Sequence, residues 1–263
     1  MKFNRLIAML LLACMLLVSV LTLGVGCKEP DAPQEETNDA TENEKTDKEE
    51  GNSNPFASMT YVAFGDSITY GANHKNNYKQ MDKPYPTLVG KELGIGTVKN
   101  LAVSGATFTA NELDLVCMTK RITEYTSAAD IISVQLGTND WLNALPLGTP
   151  GDYEIDTVYG CLYLIAEHLT TTYKDSFVFF MTPYKTSLDR NDEYTLEDVA
   201  NAIKHVAQEY MIPVLDMYEL GQFEVEMNDE GSDGLHPSQK FFEDYTAPQI
   251  VEFIKENFDI DVE

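Results

Sequence analysis

With 263 residues, 43% of them hydrophobic, the chain can bury a sizeable core, so wholesale disorder is excluded. Asp and Glu number 43 against 18 Lys and Arg, a net charge of −25, so nucleic acid is excluded as a partner because phosphates are repelled. Four cysteines exclude a disulfide-stapled miniprotein, and a single apolar run of near-spanning length excludes a polytopic membrane protein.

That run opens the chain. Lys2 and Arg5 precede Leu6–Val25, which is almost wholly apolar and uncharged. A basic start followed by an apolar stretch is the layout of a secretory signal. Gly24, Val25 and Gly26 then lead into Cys27. Small residues ahead of a cysteine resemble a bacterial lipoprotein cleavage site, with Cys27 as the lipidated residue; an uncleaved signal anchor is the other reading. Lys28 to Ser58 carries ten acidic residues against three lysines and almost no large apolar side chain. Such a segment cannot offset its ordering entropy and reads as a solvated tether. The expected organisation is a signal peptide over 1–26, a disordered acidic tether over 27–58 and one folded domain over 59–263. The domain is expected outside the cytoplasm, held at the outer face of the membrane by its N-terminus only.

Within the domain, strand-like runs alternate with helix-like stretches. Tyr61–Phe64 is a strand stopped by Gly65. A helix follows, with Pro86 in its first turn and Gly94 at its end. Val98–Val103 is a second run, and Asn111–Tyr125 has helical spacing. Ile131–Leu136 reads as a buried strand, Val158–Tyr173 as a helix and Phe177–Met181 as a strand. Thr195 and Asp198 resemble a capping box ahead of the next helix. Ile212–Leu215 is a fifth strand, and Ile250–Phe258 closes the domain as a helix. Strands separated by helices imply crossovers and a parallel sheet covered on both faces. The expected class is α/β, with five strands.

Open parallel sheets bind ligands beyond the carboxyl ends of their strands. Ser67 follows the first run, Gly105 the second and Asn139 the third; Asp233 and His236 lie in the loop after the fifth. That set suits acyl transfer from an ester. Ser67 can be the nucleophile, His236 can take its proton, and Asp233 can orient the imidazole. A tetrahedral oxyanion needs converging donors, which the N–H groups of Ser67 and Gly105 and the Asn139 amide could supply. Gly105 is expected there because no side chain blocks close approach. Asp66 and Asp140 read as hydrogen-bond partners supporting this set, or as plain turn residues. Taken singly, Ser67 and Asn139 could equally be helix caps. His74, His168 and His205 read as structural or solvent-facing.

The blocks FGDSIT, NLAVSGAT, GTND and DGLHP occur in that order. They resemble the four sequence blocks of the SGNH (GDSL) hydrolases, in which the named residues would be Ser67, Gly105, Asn139 and His236. The resemblance implies a flavodoxin-like α/β/α sandwich, a covalent acyl-serine, no metal and no cofactor. The rival readings are a metal phosphoesterase using Asp66, Asp140, Asp233 and His236, for which no metal-binding motif is present, and a non-catalytic carbohydrate-binding lipoprotein. The expected substrate is a small-molecule or polysaccharide ester, with O-deacetylation of a carbohydrate first and lysophospholipase, thioesterase or other short-chain acyl hydrolysis second. Tyr70, Tyr78, Tyr85, Trp141, Tyr153 and Tyr184 lie in or near the strand-end loops, where they could stack on sugar faces or form core. Cys117 and Cys161 read as small buried hydrophobes, with pairing left open.

Overall fold

The computed structural model describes residues 54–113, 115–188, 193–221 and 233–258. The expected signal, Cys27 and most of the expected tether lie outside the described residues. Among the described residues five strands form: β1 Thr60–Gly65, β2 Thr97–Asn100, β3 Ile131–Gln135, β4 Phe177–Met181 and β5 Val214–Leu215. They pair in the order β2-β1-β3-β4-β5, parallel throughout. β3 and β4 are buried along their whole length, as strands covered on both faces must be.

Side chains alternate across the pleat into two cores. Val62, Phe64, Ile132, Val134, Val178 and Phe180 enter one, which is closed by helices α3 Met118–Thr123, α5 Val158–Thr172 and α6 Leu196–Glu209. Tyr61, Ala63, Ile131, Phe177, Phe179 and Met181 enter the other, closed by α2 Tyr85–Leu93 and α9 Ala247–Asn257. The result is the expected flavodoxin-like three-layer sandwich. Among the described residues, the short α-helices α1 Ser67–Tyr70, α4 Thr138–Leu142, α7 Met217–Leu220 and α8 Gln239–Phe241 join these elements. Among the described residues, no helix is long and apolar enough to cross a membrane.

Local chemistry sets the helix ends. α2 has Pro86 in its first turn and ends on Gly94. The capping box at α6 is complete: the Thr195 hydroxyl accepts from the Asp198 N–H, and the Asp198 carboxylate accepts from the Thr195 N–H. Three features differ from the sequence expectation. The helix expected over Asn111–Tyr125 is confined to Met118–Thr123. The Asn111 side chain accepts from the Leu113 and Leu115 N–H groups, offering the backbone a local alternative to helix. β2 stops at Asn100, whose side-chain oxygen accepts from the Ala102 N–H and turns the chain. Finally, Pro55–Ser58, within the stretch read as tether, forms a 3-10 turn capped by Asn54, with Phe56 buried in the second core. Cys117 and Cys161 are both free thiols.

The order of the strands creates the crevice. From β1 the chain goes to the edge strand β2; from β3 it goes the other way, to β4. The loops after β1 and β3 therefore diverge, which is the switch point where such sheets bind ligands.

Candidate active site

β1 ends at Gly65, and Asp66 caps α1 by accepting from the Ile68 N–H at 2.9 Å. Ser67 is therefore the first helical residue rather than the cap, and its hydroxyl is left to point elsewhere. Ser67 Oγ lies 2.8 Å from His236 Nε2, and His236 Nδ1 lies 2.8 Å from Asp233 Oδ2. The other Asp233 oxygen accepts from the Leu235 and His236 N–H groups at 3.0 and 2.8 Å. This turn, with Gly234 at φ 74°, sets the carboxylate and imidazole of residues three apart side by side.

Burial pushes the Asp233 carboxyl up, but the hydrogen bonds from the His236 backbone and ring and from Leu235 outweigh it, and the net shift is downward. An ionised carboxylate can only accept, so the proton between the two residues belongs to Nδ1. In a neutral imidazole the lone pair is then on Nε2, where it can accept from the Ser67 hydroxyl. Serine, histidine and aspartate thus form one continuous hydrogen-bond chain, through which a neutral imidazole can remove a proton from Ser67.

Gly105 has φ 78°. A Cβ built there would meet nothing within 4 Å. The left-handed backbone there is one that glycine adopts without strain, and the space in front of it is open. Asn139 is not a cap: Gly137 holds that position at φ 109°. The Asn139 side-chain amide donates to the Ala106 carbonyl at 2.9 Å, joining α4 to the Gly105 loop. Asp140 is buried and accepts from the Phe108 and Thr109 N–H groups at 2.9 and 3.1 Å, a second tie between the same two segments. Burial raises the Asp140 carboxyl to about 6 despite these bonds. Asp66 is raised further, to about 7, by burial first and by the Asp140 charge as well.

The structure thus brings Ser67, His236 and Asp233 together and fastens Asn139 to the residue after Gly105. Asp66 and Asp140 lie beneath, bonded to backbone amides. Among the described residues, no group of three or more His, Cys, Asp or Glu side chains gathers to hold a metal ion.

Sequence reasoning missed one neighbour, His74, and placed a second, Tyr78, near the strand-end loops without its contact to His236. His74 Nδ1 lies 3.9 Å from Asp233 Oδ2, although the residue reads as structural or solvent-facing. The Tyr78 ring contacts the His236 imidazole edge-to-face, with centroids 5.4 Å apart. The sequence signal for His74 is that the Asn-rich turn carrying it directly follows the Ser67 helix. Of the six loop aromatics, Tyr85, Trp141 and Tyr184 are core, whereas Tyr78 and Tyr153 are exposed.

Residues 63–241, more than half of the chain, match the GDSL-like Lipase/Acylhydrolase family. Solved structures share the fold. A protein from Lactobacillus plantarum is 24% identical at a TM-score of 0.66, covering 77% of this chain and 99% of that one. A structure described as "a possible lipase" from Chitinophaga pinensis is 23% identical at 0.60, covering 76% and 98%. A variant of Axe2, an acetyl-xylooligosaccharide esterase from Geobacillus, is 19% identical at 0.52, covering 80% and 99%. Comparison with curated proteins gives no match. The family match carries what these similarities of fold alone do not: the chain belongs to the GDSL-like lipase/acylhydrolase family and is an ester-bond hydrolase.

Proposed function

We propose that the chain is an extracytoplasmic serine esterase that removes acetyl groups from a carbohydrate. The observation that carries the serine mechanism is the unbroken Ser67–His236–Asp233 hydrogen-bond chain. Ser67 Oγ attacks the ester carbonyl while His236 Nε2 takes its proton. The oxyanion is held by the N–H groups of Ser67 and Gly105 and by the Asn139 amide, whose nitrogen carries a second hydrogen beyond the one given to Ala106. His236 returns the proton to the leaving alcohol. Water, activated by the same imidazole, then cleaves the acyl-serine.

The carbohydrate reading is supported by the fold shared with an acetyl-xylooligosaccharide esterase. A net charge of −25 also disfavours polyanionic substrates. The location rests on the basic and apolar leader and on the small residues ahead of Cys27. In this reading the lipidated N-terminus is the only contact with the membrane.

Ser67→Ala should abolish both ester hydrolysis and labelling by a fluorophosphonate. Turnover well above background in that variant overturns the mechanism. Acetylated oligosaccharides assayed beside nitrophenyl esters of graded chain length test the substrate, and a preference for long acyl chains overturns it. Cys27→Ser should leave the protein unlipidated and release it from the membrane fraction. An unlipidated wild-type N-terminus at another position overturns the anchor.

A further inference from the structure

The loop after α1 is built to a fixed shape. Its neck is closed by the Ala72–Gln80 bridge, by the Met81 N–H donating to the Gly71 carbonyl at 2.8 Å, and by the Gln80 amide donating to the Tyr70 carbonyl. Asn73 is buried, and its amide donates at 3.0 Å to the carbonyl of Pro237, the residue after His236. Inside this frame Asn77 and Tyr78 both take left-handed backbone, at φ 60° and 58°. Asparagine tolerates that region; for tyrosine it is strained. Backbone held in such a conformation by its surroundings concentrates at functional sites.

The conformation keeps an aromatic ring at an otherwise unfavourable place. Tyr78 is 53% exposed, yet its ring meets the His236 imidazole with the planes at 68°. A ring recruited only for packing would be buried, as Tyr85 and Tyr184 are.

Position then assigns a role. In ester cleavage the imidazole must give its proton to the oxygen of the departing alcohol. The alcohol therefore lies beside His236, and a ring that touches the imidazole while open to solvent lies beside the alcohol. We propose that Tyr78 is a specificity-determining residue that lines the alcohol side of the site and selects ring-shaped alcohols, such as a sugar, by contact with their C–H faces. The proposal rests on the serine mechanism above but not on the acetylated sugar as substrate.

The test holds the acyl group constant and varies the alcohol, using ethyl acetate, cyclohexyl acetate and a monoacetylated methyl xyloside with the full chain. The readout is the ratio of kcat/KM for each cyclic ester to that for ethyl acetate, which does not depend on the fraction of enzyme folded. Tyr78→Ala should lower that ratio about three- to tenfold, and Tyr78→Phe should largely retain it. If Tyr78→Ala slows all three esters equally, the ring acts through His236 and the proposal is overturned. An unchanged ratio with unchanged rates overturns it too. If the ratio falls for cyclohexyl acetate while wild-type enzyme leaves the xyloside uncleaved, the role of Tyr78 stands and the sugar reading fails.

Discussion

Asn139→Ala separates catalysis from scaffolding in a single variant. The substitution removes the 2.9 Å bond from the side-chain amide to the Ala106 carbonyl. A hydrogen bond of this kind contributes about 1 kcal/mol to stability, which in a domain of this size lowers Tm by roughly 2–4 °C. It also removes the proposed oxyanion donor. One such donor is worth about 3 kcal/mol in the transition state, so kcat should fall roughly 10²–10³-fold. KM should change little, because the interaction strengthens only as negative charge develops on the oxygen. Asn139→Asp should be at least as slow, since it places a carboxylate against both the Ala106 carbonyl and the oxyanion. Steady-state kinetics on a short-chain nitrophenyl ester and thermal unfolding of the same purified variant give both numbers. A lowered Tm with unchanged kcat would confine Asn139 to holding the Gly105 loop and refute its placement in the oxyanion hole.

Three further outcomes are expected. Asp233→Asn should lower kcat by about 10⁴, because an amide no longer fixes the proton on Nδ1; a loss under tenfold at neutral pH contradicts that role. Asp66 titrates near 7 in the fold against an ordinary value of 3.8, so the folded state holds the proton more tightly and loses stability as pH rises from about 4 to 7. Asp66→Asn, which still accepts from Ile68, should therefore gain stability over wild type as pH rises through that window, by roughly a few kcal/mol; a difference that is flat with pH, measured by denaturant unfolding, contradicts it. A protein starting at Met59 should be less stable than one starting at Asn54 by about 2 kcal/mol, because it lacks the buried Phe56 ring; equal melting points contradict this.

The ends of β1 and β3 were legible in the sequence because their apolar runs give way to glycine, Gly65 as the last residue of β1 and Gly137 shortly after β3. Placing chemistry-bearing residues just beyond those stops was enough to bring Ser67 and His236 to one edge. The hydrogen-bonded order Ser67, His236, Asp233 follows from an i, i+3 turn that Gly234 makes affordable in backbone terms, and Asp-Gly is a readable turn signal. Other features were not legible. The spacing of apolar residues from Asn111 onward fits a helix, but one asparagine side chain takes the backbone donors the helix needs. Phe56 stands alone among polar residues, so nothing local marks it as core. The contacts of Tyr78 and His74 with the site rest in part on Asn73 being fastened to a carbonyl 164 positions later, and no pattern within a short window reports such a contact.

That 164-residue span, together with the 169 positions between Ser67 and His236, ties the onset of activity to the completion of folding. The serine leaves the ribosome, and crosses any export channel, long before its base. Contacts of such sequence separation are costly in loop entropy until the intervening sheet has formed. A nascent or partly translocated chain therefore carries an inert hydroxyl, and the capacity to cleave esters arises only when the segment around Pro237 docks onto the loop around Asn73. Hydrolysis itself can serve as the reporter of that docking, timed against the burial of Trp141, which sits in the other core.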